Sequence, residues 1–155
     1  MSSFIVFALS CSILIGNIRT QNLEAKKLEP LRQANSLYNS SNMSIGKIES
    51  DGIVRDQMNM MVGKIRPDGT VRNWHNMMVG KIEKDGTIRD RMGMVLGKVR
   101  SNGDVNDVNN MLIGRVKPDG SVVDCHNMTI GYAKDIPVAY AAVFFFFNLF
   151  ELNVK

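Results

Sequence analysis

A basic side chain recurs every 17 residues, and it is the feature of this sequence best suited to bind a ligand. The column contains Lys47, Lys64, Lys81, Lys98 and Arg115. Arg55, Arg72 and Arg89 recur at the same spacing. A fold that repeats these charges by symmetry would present a ring of positive charge to a polyanion such as an acidic polysaccharide. The alternative is that the column is a solvated face.

Aspartates recur in both kinds of turn and could be considered as calcium ligands. The first column contains Asp51, Asp68, Asp85 and Asp119, and the second contains Asp56, Asp90, Asp107 and Asp124. Calcium takes about six to eight oxygen ligands, and the spacing lacks the known calcium-loop pattern. Turn aspartates that accept hydrogen bonds from their own backbone explain the columns better.

The histidines, Cys125 and the methionines do not predict a reactive centre. His75 and His126 occupy a variable turn position without a phased second ligand or nucleophile. Cys125 precedes His126, but neighbours at a turn tip rarely form a catalytic pair. The methionine column could be a soft copper site, but we expect apolar filler between repeats, because methionine adapts to irregular gaps. This column contains Met43, Met60, Met77, Met94, Met111 and Met128.

All these columns belong to one unit that is present in six copies without an insertion. The copies begin at Leu37, Val54, Val71, Ile88, Val105 and Val122. Such an exact repeat dictates a repeat architecture. Because every copy shares the same columns, no copy is marked as a catalytic site, and the sequence predicts neither enzymatic activity nor a cofactor.

Two tight turns divide each unit into short strands. The connector Arg66–Thr70 predicts a three-residue hairpin loop closed by a glycine bulge, since this loop pairs Ile65 with Val71. The turn glycines that need positive φ are Gly52, Gly69, Gly86, Gly103 and Gly120. In the second turn a left-handed residue is expected at Asn42, Asn59, Asn76, Gly93, Asn110 and Asn127.

A third column of glycines lies inside the strands. It contains Gly46, Gly63, Gly80, Gly97, Gly114 and Gly131. Uninterrupted pairing would move the apolar residues to opposite faces in successive units, because side chains alternate with a period of two. We therefore expect a break or bend at each glycine. The predicted fold is all-β, with six tandem 17-residue β-hairpin repeats arranged radially as separate petals about an axis.

An apolar tail without a repeat partner follows the sixth unit. Residues 136–150 predict a helix, with Asp135 as its cap and Pro137 in its first turn. A helix this apolar must be covered on all sides, so we expect it to occupy the axis. A buried strand and a membrane-inserting tail remain alternatives.

Export is predicted by the first part of the chain. Residues 1–20 contain an apolar stretch of signal-peptide length, although an uncleaved anchor or a buried segment would have similar composition. Residues 21–36 are polar and predict a linker with a short helix over Leu23–Glu29. The repeat domain is then expected over residues 37–155. Cys11 would leave with the signal peptide, so Cys125 would have no intrachain partner.

Composition is that of an ordinary globular domain, with 45% hydrophobic and 22% charged residues among 155. The net charge of +4 is spread at the repeat spacing and not gathered in one run. With few aromatic residues available to stack on bases, we expect no nucleic-acid partner.

The sequence resembles the secreted four-fold and five-fold β-flower proteins of Bacteroidetes. Those chains combine an export signal, units of the form I-G-x-I-x-x-D-G-x-V-x-D, and a final G-Y-A before an Ala- and Phe-rich tail. Matching residues here are Ile45–Asp56 with their successors, Gly131–Ala133, and Phe144–Phe147. The copy number of six differs from the four or five in the family names. The resemblance implies a fold and an exported location, and it supplies no activity.

These observations predict an exported, non-catalytic structural or interaction module at the periplasm, the cell surface or outside the cell. The alternative is an anion- or carbohydrate-binding module that uses the basic column. The partner is unknown; a cell-envelope protein or an acidic glycan would fit.

Overall fold

The computed structural model describes residues 35–152, which form twelve β-strands and one helix. The strands are β1 Ser36–Asn39, β2 Ser44–Ile48, β3 Ile53–Asp56, β4 Met61–Ile65, β5 Thr70–Asn73, β6 Met78–Ile82, β7 Thr87–Asp90, β8 Val95–Val99, β9 Asp104–Asp107, β10 Leu112–Val116, β11 Ser121–Asp124 and β12 Thr129–Ala133. The helix is α1, Val138–Phe145. Each element is short because two tight turns interrupt every repeat.

The strands form one closed antiparallel barrel in which each strand pairs with its neighbours in sequence. β1 closes the barrel against β12, with Leu37 opposite Ala133. Closure leaves these twelve strands without an exposed sheet edge, which removes a site for unwanted strand pairing. The antiparallel order places the six turns that contain Asn42, Asn59, Asn76, Gly93, Asn110 and Asn127 at one end of the barrel and the Asp-Gly turns at the other.

The barrel interior is filled by two apolar residues from each repeat. The first set is fully buried, with 0% exposure, and contains Leu37, Val54, Val71, Ile88, Val105 and Val122. The second set is 1–9% exposed and contains Ile48, Ile65, Ile82, Val99, Val116 and Ala133. Since side chains alternate along a strand, the intervening basic residues lie on the outer wall.

The Asp-Gly turn has the predicted three-residue form. Ile65 pairs with Val71, and the Gly69 amide donates to the Arg66 carbonyl at 2.9 Å. Gly69 has a φ of 86°, where a residue with a side chain is strained. The carboxylate of Asp68 accepts a hydrogen bond from the Thr70 amide at 2.9 Å, which stabilises the turn.

The second turn also contains a left-handed residue. Asn59 has a φ of 65°, and Asp56 accepts hydrogen bonds from the amides of Met58 and Met60, each at 2.9 Å. The equivalent Asn residues and Gly93 also have positive φ. The exchange of Asn with Gly in the sequence therefore reports a left-handed backbone.

The expectation of separate petals that break at each strand glycine is wrong. The strands on both sides of the glycine are hydrogen-bonded around the whole barrel. Val54 pairs with Gly63 and Arg55 with Met61, so Val62 is an extra residue on β4. This β-bulge shifts the register by one and returns the apolar residues to the interior without a break in the sheet.

The helix is shorter than the predicted span of 136–150. It ends at Phe145, and its N-cap is Pro137 without a side-chain cap hydrogen bond, so Asp135 does not cap it. Ala141, Ala142 and Val143 are 0% exposed, whereas Val138, Ala139 and Tyr140 are half-buried, so the predicted burial holds for the second half of the helix. Among the described residues, no helix is long and apolar enough to cross a membrane.

The last residue of the helix and the segment after it cover the strand glycines in turn, which explains why the helix stops. Phe145, Phe146, Phe147, Leu149 and Phe150 contact Gly131, Gly114, Gly97, Gly80 and Gly63, respectively. A continued helix would point successive side chains about 100° apart, whereas these side chains must reach successive repeats. Asn148 is the one residue between Phe145 and Phe150 that is not part of this contact series; it has a φ of 44° and is exposed.

The repeat also begins earlier than the predicted boundary, since residue 36 is not linker. Ser36 belongs to β1, and the Asn35 carbonyl accepts a hydrogen bond from the Ile48 amide at 2.9 Å. Asn35 has a φ of 61° and stands 17 residues before Gly52, so it is another Asn-for-Gly exchange. The predicted signal peptide and the helix over Leu23–Glu29 lie outside the described residues.

Candidate functional site

The basic column lies on the outer wall of the barrel, where it alternates with a column of arginines. Lys47 is opposite Arg55, Lys64 is opposite Arg72, and Lys81 is opposite Arg89. Six consecutive strands, β2–β7, therefore carry a row of cations. Like charges placed opposite each other destabilise a sheet unless carboxylates or other anions separate them.

Carboxylates neutralise much of this row. Glu49 Oε1 lies 2.9 Å from Arg55 Nε and 3.2 Å from Lys47 Nζ. Hydrogen bonds from Arg55 and then Lys47 lower the pKa of Glu49. Glu83 pairs with Arg89 at 2.8 Å in the same way.

Two more members of the basic column are paired further along the barrel. Lys98 Nζ lies 3.6 Å from Asp85. Arg115 forms a close ion pair with Asp104, and its hydrogen bond is the main cause of the lowered pKa of Asp104. The ring of positive charge considered from the sequence is therefore not uniform, because Lys47, Lys98 and Arg115 have acidic partners.

The β4–β5 hairpin differs because Arg66 occupies the position held by Glu49 and Glu83 in the hairpins on either side. Within residues 35–152, no carboxylate lies within ion-pair distance of Lys64, Arg66 or Lys81. In that same range Arg72 Nε is buried and has no hydrogen-bond partner. We call Lys64, Arg66, Arg72 and Lys81 the basic patch.

Asp68 is the carboxylate whose titration these cations influence. The backbone hydrogen bond from Thr70 is the main cause of its lowered pKa, and Arg66 and Lys81 contribute less. Asp68 is therefore engaged in its own turn. The sequence shows the charge reversal at Arg66. Only the ion pairs of Arg55 with Glu49 and of Arg89 with Glu83 show that this reversal removes the acidic partner of Arg72.

A second surface lies at the end of the barrel that carries the Asn-containing turns. Its ten methionines, which we call the methionine rim, are Met43, Met58, Met60, Met61, Met77, Met78, Met92, Met94, Met111 and Met128. The six repeated methionines are 58–65% exposed. The expectation that they fill gaps between repeats is wrong, because bulged residues such as Val62 and the tail occupy that space.

The family comparison covers the twelve strands, the helix and most of the tail. A family model described as 5-fold beta-flower protein matches residues 34–149. The chain belongs to this family. No curated protein and no solved structure matches it. The sequence of this beta-flower repeats its unit six times, and residues 35–152 form twelve strands.

The turn aspartates of this beta-flower bind their own backbone. Asp51, Asp68, Asp85 and Asp119 accept hydrogen bonds from amides two residues ahead, at 2.9–3.0 Å. Asp56, Asp90, Asp107 and Asp124 accept from two amides each. No group of three potential metal ligands occurs in the described part of the chain.

The histidines and the cysteine lie at exposed turn tips of the beta-flower. His126 Nδ1 is 3.4 Å from Cys125 Sγ and 4.0 Å from the Asp124 carboxylate. Asp124 is already bonded to the amides of His126 and Met128. The ring of His75 packs against that of Trp74, with centroids 3.4 Å apart. The structure does not bring the two histidines together.

Two shallow pockets open beside the methionine rim. One, of about 260 Å³, has Leu149 and Phe150 among its lining residues together with Trp74 and Glu151. The other, of about 290 Å³, is lined by residues that include Arg115, Asp124 and Cys125. Their small volume places them at or below the lower end of the range for small-molecule sites, about 300–1,000 Å³.

Proposed function

We propose that this beta-flower is an exported, non-catalytic interaction module that docks through its methionine rim. The observation that carries the proposal is the exposure of all ten methionines between residues 35 and 152. Large exposed apolar patches are uncommon on soluble proteins and mark interaction surfaces. Methionine suits such a surface because its flexible thioether adapts to a partner.

Other apolar residues enlarge this surface. Trp74 is 67% exposed and Val108 is 62% exposed, and both lie in turns of the same end. The repeats from β3 to β10 carry most of these extra residues, while the turn after β1 has Ser40 and Ser41. A partner is therefore expected to contact the turns between β3 and β10 more than the turn after β1.

Arginines on the outer wall hold the rim in place. Nη1 of Arg55, Arg72 and Arg89 donates to the carbonyls of Asn59, Asn76 and Gly93, at 2.6–3.2 Å. Asn106 makes the same contact with Asn110 at 2.9 Å. Loops that are ordered before binding lose less entropy in the complex, which favours affinity.

The arrangement proposed for the whole domain is radial, with six hairpin repeats around the buried helix. The 17-residue spacing supports it, since each repeat would then present its methionine at an equivalent place. Export to the periplasm, the cell surface or the medium is supported by the apolar stretch in residues 1–20. A cell-envelope protein with an apolar surface is the partner that fits this location.

Photo-methionine labelling tests the docking role directly. Ten of the eleven methionines belong to the rim, so a photo-reactive methionine analogue places nearly all reactive groups on this one surface. We expect ultraviolet light to yield discrete cross-linked species in the native envelope. A matched variant with Met60, Met77 and Met94 replaced by Gln and photo-methionine elsewhere should give a weaker yield. Absence of cross-links from the unchanged chain would refute docking through the rim.

A further inference from the structure

We propose that the basic patch on the β4–β5 hairpin and the adjoining strand β6 binds an anionic group of an acidic polysaccharide. The site is distinct from the methionine rim, because its cations lie on the barrel wall. The inference does not depend on the function proposed for the rim. The ligand group is an oxyanion, either a carboxylate or a sulfate or phosphate ester, that bridges Lys64 and Arg72.

The neighbouring hairpin shows where such a group would sit. Between β2 and β3, the Glu49 carboxylate bridges Lys47 Nζ at 3.2 Å and Arg55 Nε at 2.9 Å. Lys64 and Arg72 are the equivalent pair one repeat later, and they are directly opposite each other. The repeat has thus kept both donors of a carboxylate site and lost the carboxylate.

The lost carboxylate leaves a donor without an acceptor. Arg55 Nε and Arg89 Nε each donate to a glutamate, at 2.9 and 2.8 Å. Arg72 Nε is buried and has no partner among the described residues. A buried donor without a hydrogen bond is unfavourable, and a charged donor is more so. An oxyanion from outside the chain would supply the missing acceptor.

The charge around this donor favours an anion with more than one negative group. Arg66 replaces an acidic residue by a basic one, and Lys81 on the next strand has no ion pair with a described residue. Lys81 pairs with Thr70 across β5 and β6, so the cations extend over three neighbouring strands. A polymer with repeated charges can engage several of them at once.

An acidic polysaccharide fits the patch better than a nucleic acid. Proteins that bind single-stranded nucleic acids combine a basic groove with aromatic side chains that stack on bases. The four residues of the patch are all lysine or arginine, and the nearby rings of Trp74 and His75 pack against each other, with centroids 3.4 Å apart. Arginine binds planar or tetrahedral oxyanions through two parallel hydrogen bonds, and this requires no stacking.

The repeat offers matched substitutions that test the site. Arg66→Glu restores the carboxylate that the neighbouring hairpins contain, so it should pair with Arg72 and occupy the site. Arg66→Gln removes the charge without supplying a carboxylate. Glu83→Arg makes the opposite change one repeat later and should create a second site between Lys81 and Arg89. Lys98→Gln removes one positive charge elsewhere on the wall and serves as the control.

Binding is measured by calorimetry on the full chain, with dextran sulfate, polygalacturonate and inorganic phosphate as probes at matched ionic strength. We expect binding of a polysaccharide that weakens by on the order of tenfold or more in Arg66→Glu, weakens less in Arg66→Gln, and is unchanged in Lys98→Gln. Glu83→Arg should increase the number of binding sites. Preference for dextran sulfate and phosphate assigns a tetrahedral anion, and preference for polygalacturonate assigns a carboxylate.

Melting temperature, compared between Arg66→Glu and Arg66→Gln, gives a second readout. Without ligand, Arg66→Glu should melt at a higher temperature than the unchanged chain, since Arg72 gains its partner. Equal polysaccharide binding by the unchanged chain and Arg66→Glu would overturn the site. Equal losses of polysaccharide affinity in Arg66→Gln and Lys98→Gln would show non-specific charge attraction, which would also overturn the site. Tighter binding of an oligonucleotide than of either polysaccharide would overturn the ligand class.

Discussion

The ring of Phe147 packs against the backbone of Gly97, so that a Cβ on this glycine would lie 2.7 Å from the ring's Cε1 atom. The same Cβ would also overlap the Asn106 carbonyl of the neighbouring strand. Only glycine leaves room for both. The apolar tail can therefore lie against the barrel wall because the repeat has no side chain at this position.

Gly97→Ala should consequently destabilise the fold by about 2 kcal/mol or more, since overpacking a filled core is unfavourable. Gly93→Asn is the control, because Gly93 has nothing near its missing Cβ and other repeats have Asn there. Its effect should stay within about 0.5 kcal/mol. Urea denaturation of both variants measures the difference, and similar losses would contradict the close contact.

Phe144→Ala tests whether the tail is part of the core. Phe144 is 4% exposed, and replacement of a buried phenylalanine by alanine costs about 3–5 kcal/mol. Asn148→Gly, at an exposed position with a φ of 44°, should have little effect. If Phe144→Ala melts at the same temperature as the unchanged chain, the tail does not stabilise the barrel.

Much of this fold could be predicted because local turn chemistry determines it. Pairing of Ile65 with Val71 follows from matching apolar residues across a loop with Gly69 at its end. The closed barrel was harder to predict, because the bulge at Val62 changes which face of the sheet the following side chains occupy. The neighbouring glycine is the only sequence feature that indicates this bulge. The early end of the helix depends on the positions of glycines in distant strands. Helix propensity depends only on the local sequence and cannot predict it.

Gly69→Val should be far more damaging than Asn59→Gly. Gly69 has a φ of 86°, and a Cβ there would overlap the Ile82 carbonyl. A β-branched residue with positive φ is strained by about 1–3 kcal/mol, before the overlap is counted. Asn59 already has a left-handed backbone, so glycine should change stability by less than about 1 kcal/mol. Thermal melts compare the two, and equal losses would show that strain at the turn is unimportant.

Acid should weaken the Asp-Gly turns. Hydrogen bonds from Thr87, first from its backbone, lower the pKa of Asp85 below its usual value. A lowered folded-state pKa stabilises the protein above the unfolded pKa, and this stabilisation is lost as pH falls through the folded value. The loss is therefore expected below about pH 4.

Asp85→Asn tests this titration, because Asn102 makes the same turn contact with the Asp104 amide at 3.0 Å without a charge. The variant should melt near the unchanged chain at pH 7, apart from its lost ion pair with Lys98, and should lose less stability between pH 5 and pH 3. A parallel decrease in both proteins would show that Asp85 does not contribute to the acid sensitivity.

The candidate sites were less predictable than the fold. The basic column shows five equal charges in sequence, but pairing with Glu49, Asp85 and Asp104 depends on which strands are adjacent. The methionine column has the regularity of a core position, and hydrophobicity alone could not assign it to an open end of the barrel. Only the occupation of the interior by the Val, Ile and tail residues leaves methionine outside.

Replacing Met60, Met77 and Met94 together with Gln should hardly affect folding. These side chains are 64%, 58% and 65% exposed, and exposed substitutions usually change stability by no more than about 0.5 kcal/mol each. Val54→Ala, at a position with 0% exposure, is the contrasting core change and should be clearly destabilising. Denaturation in urea should leave the triple variant near the unchanged chain. A loss as large as that of Val54→Ala would mean that the methionines pack inside the fold and are not available for docking.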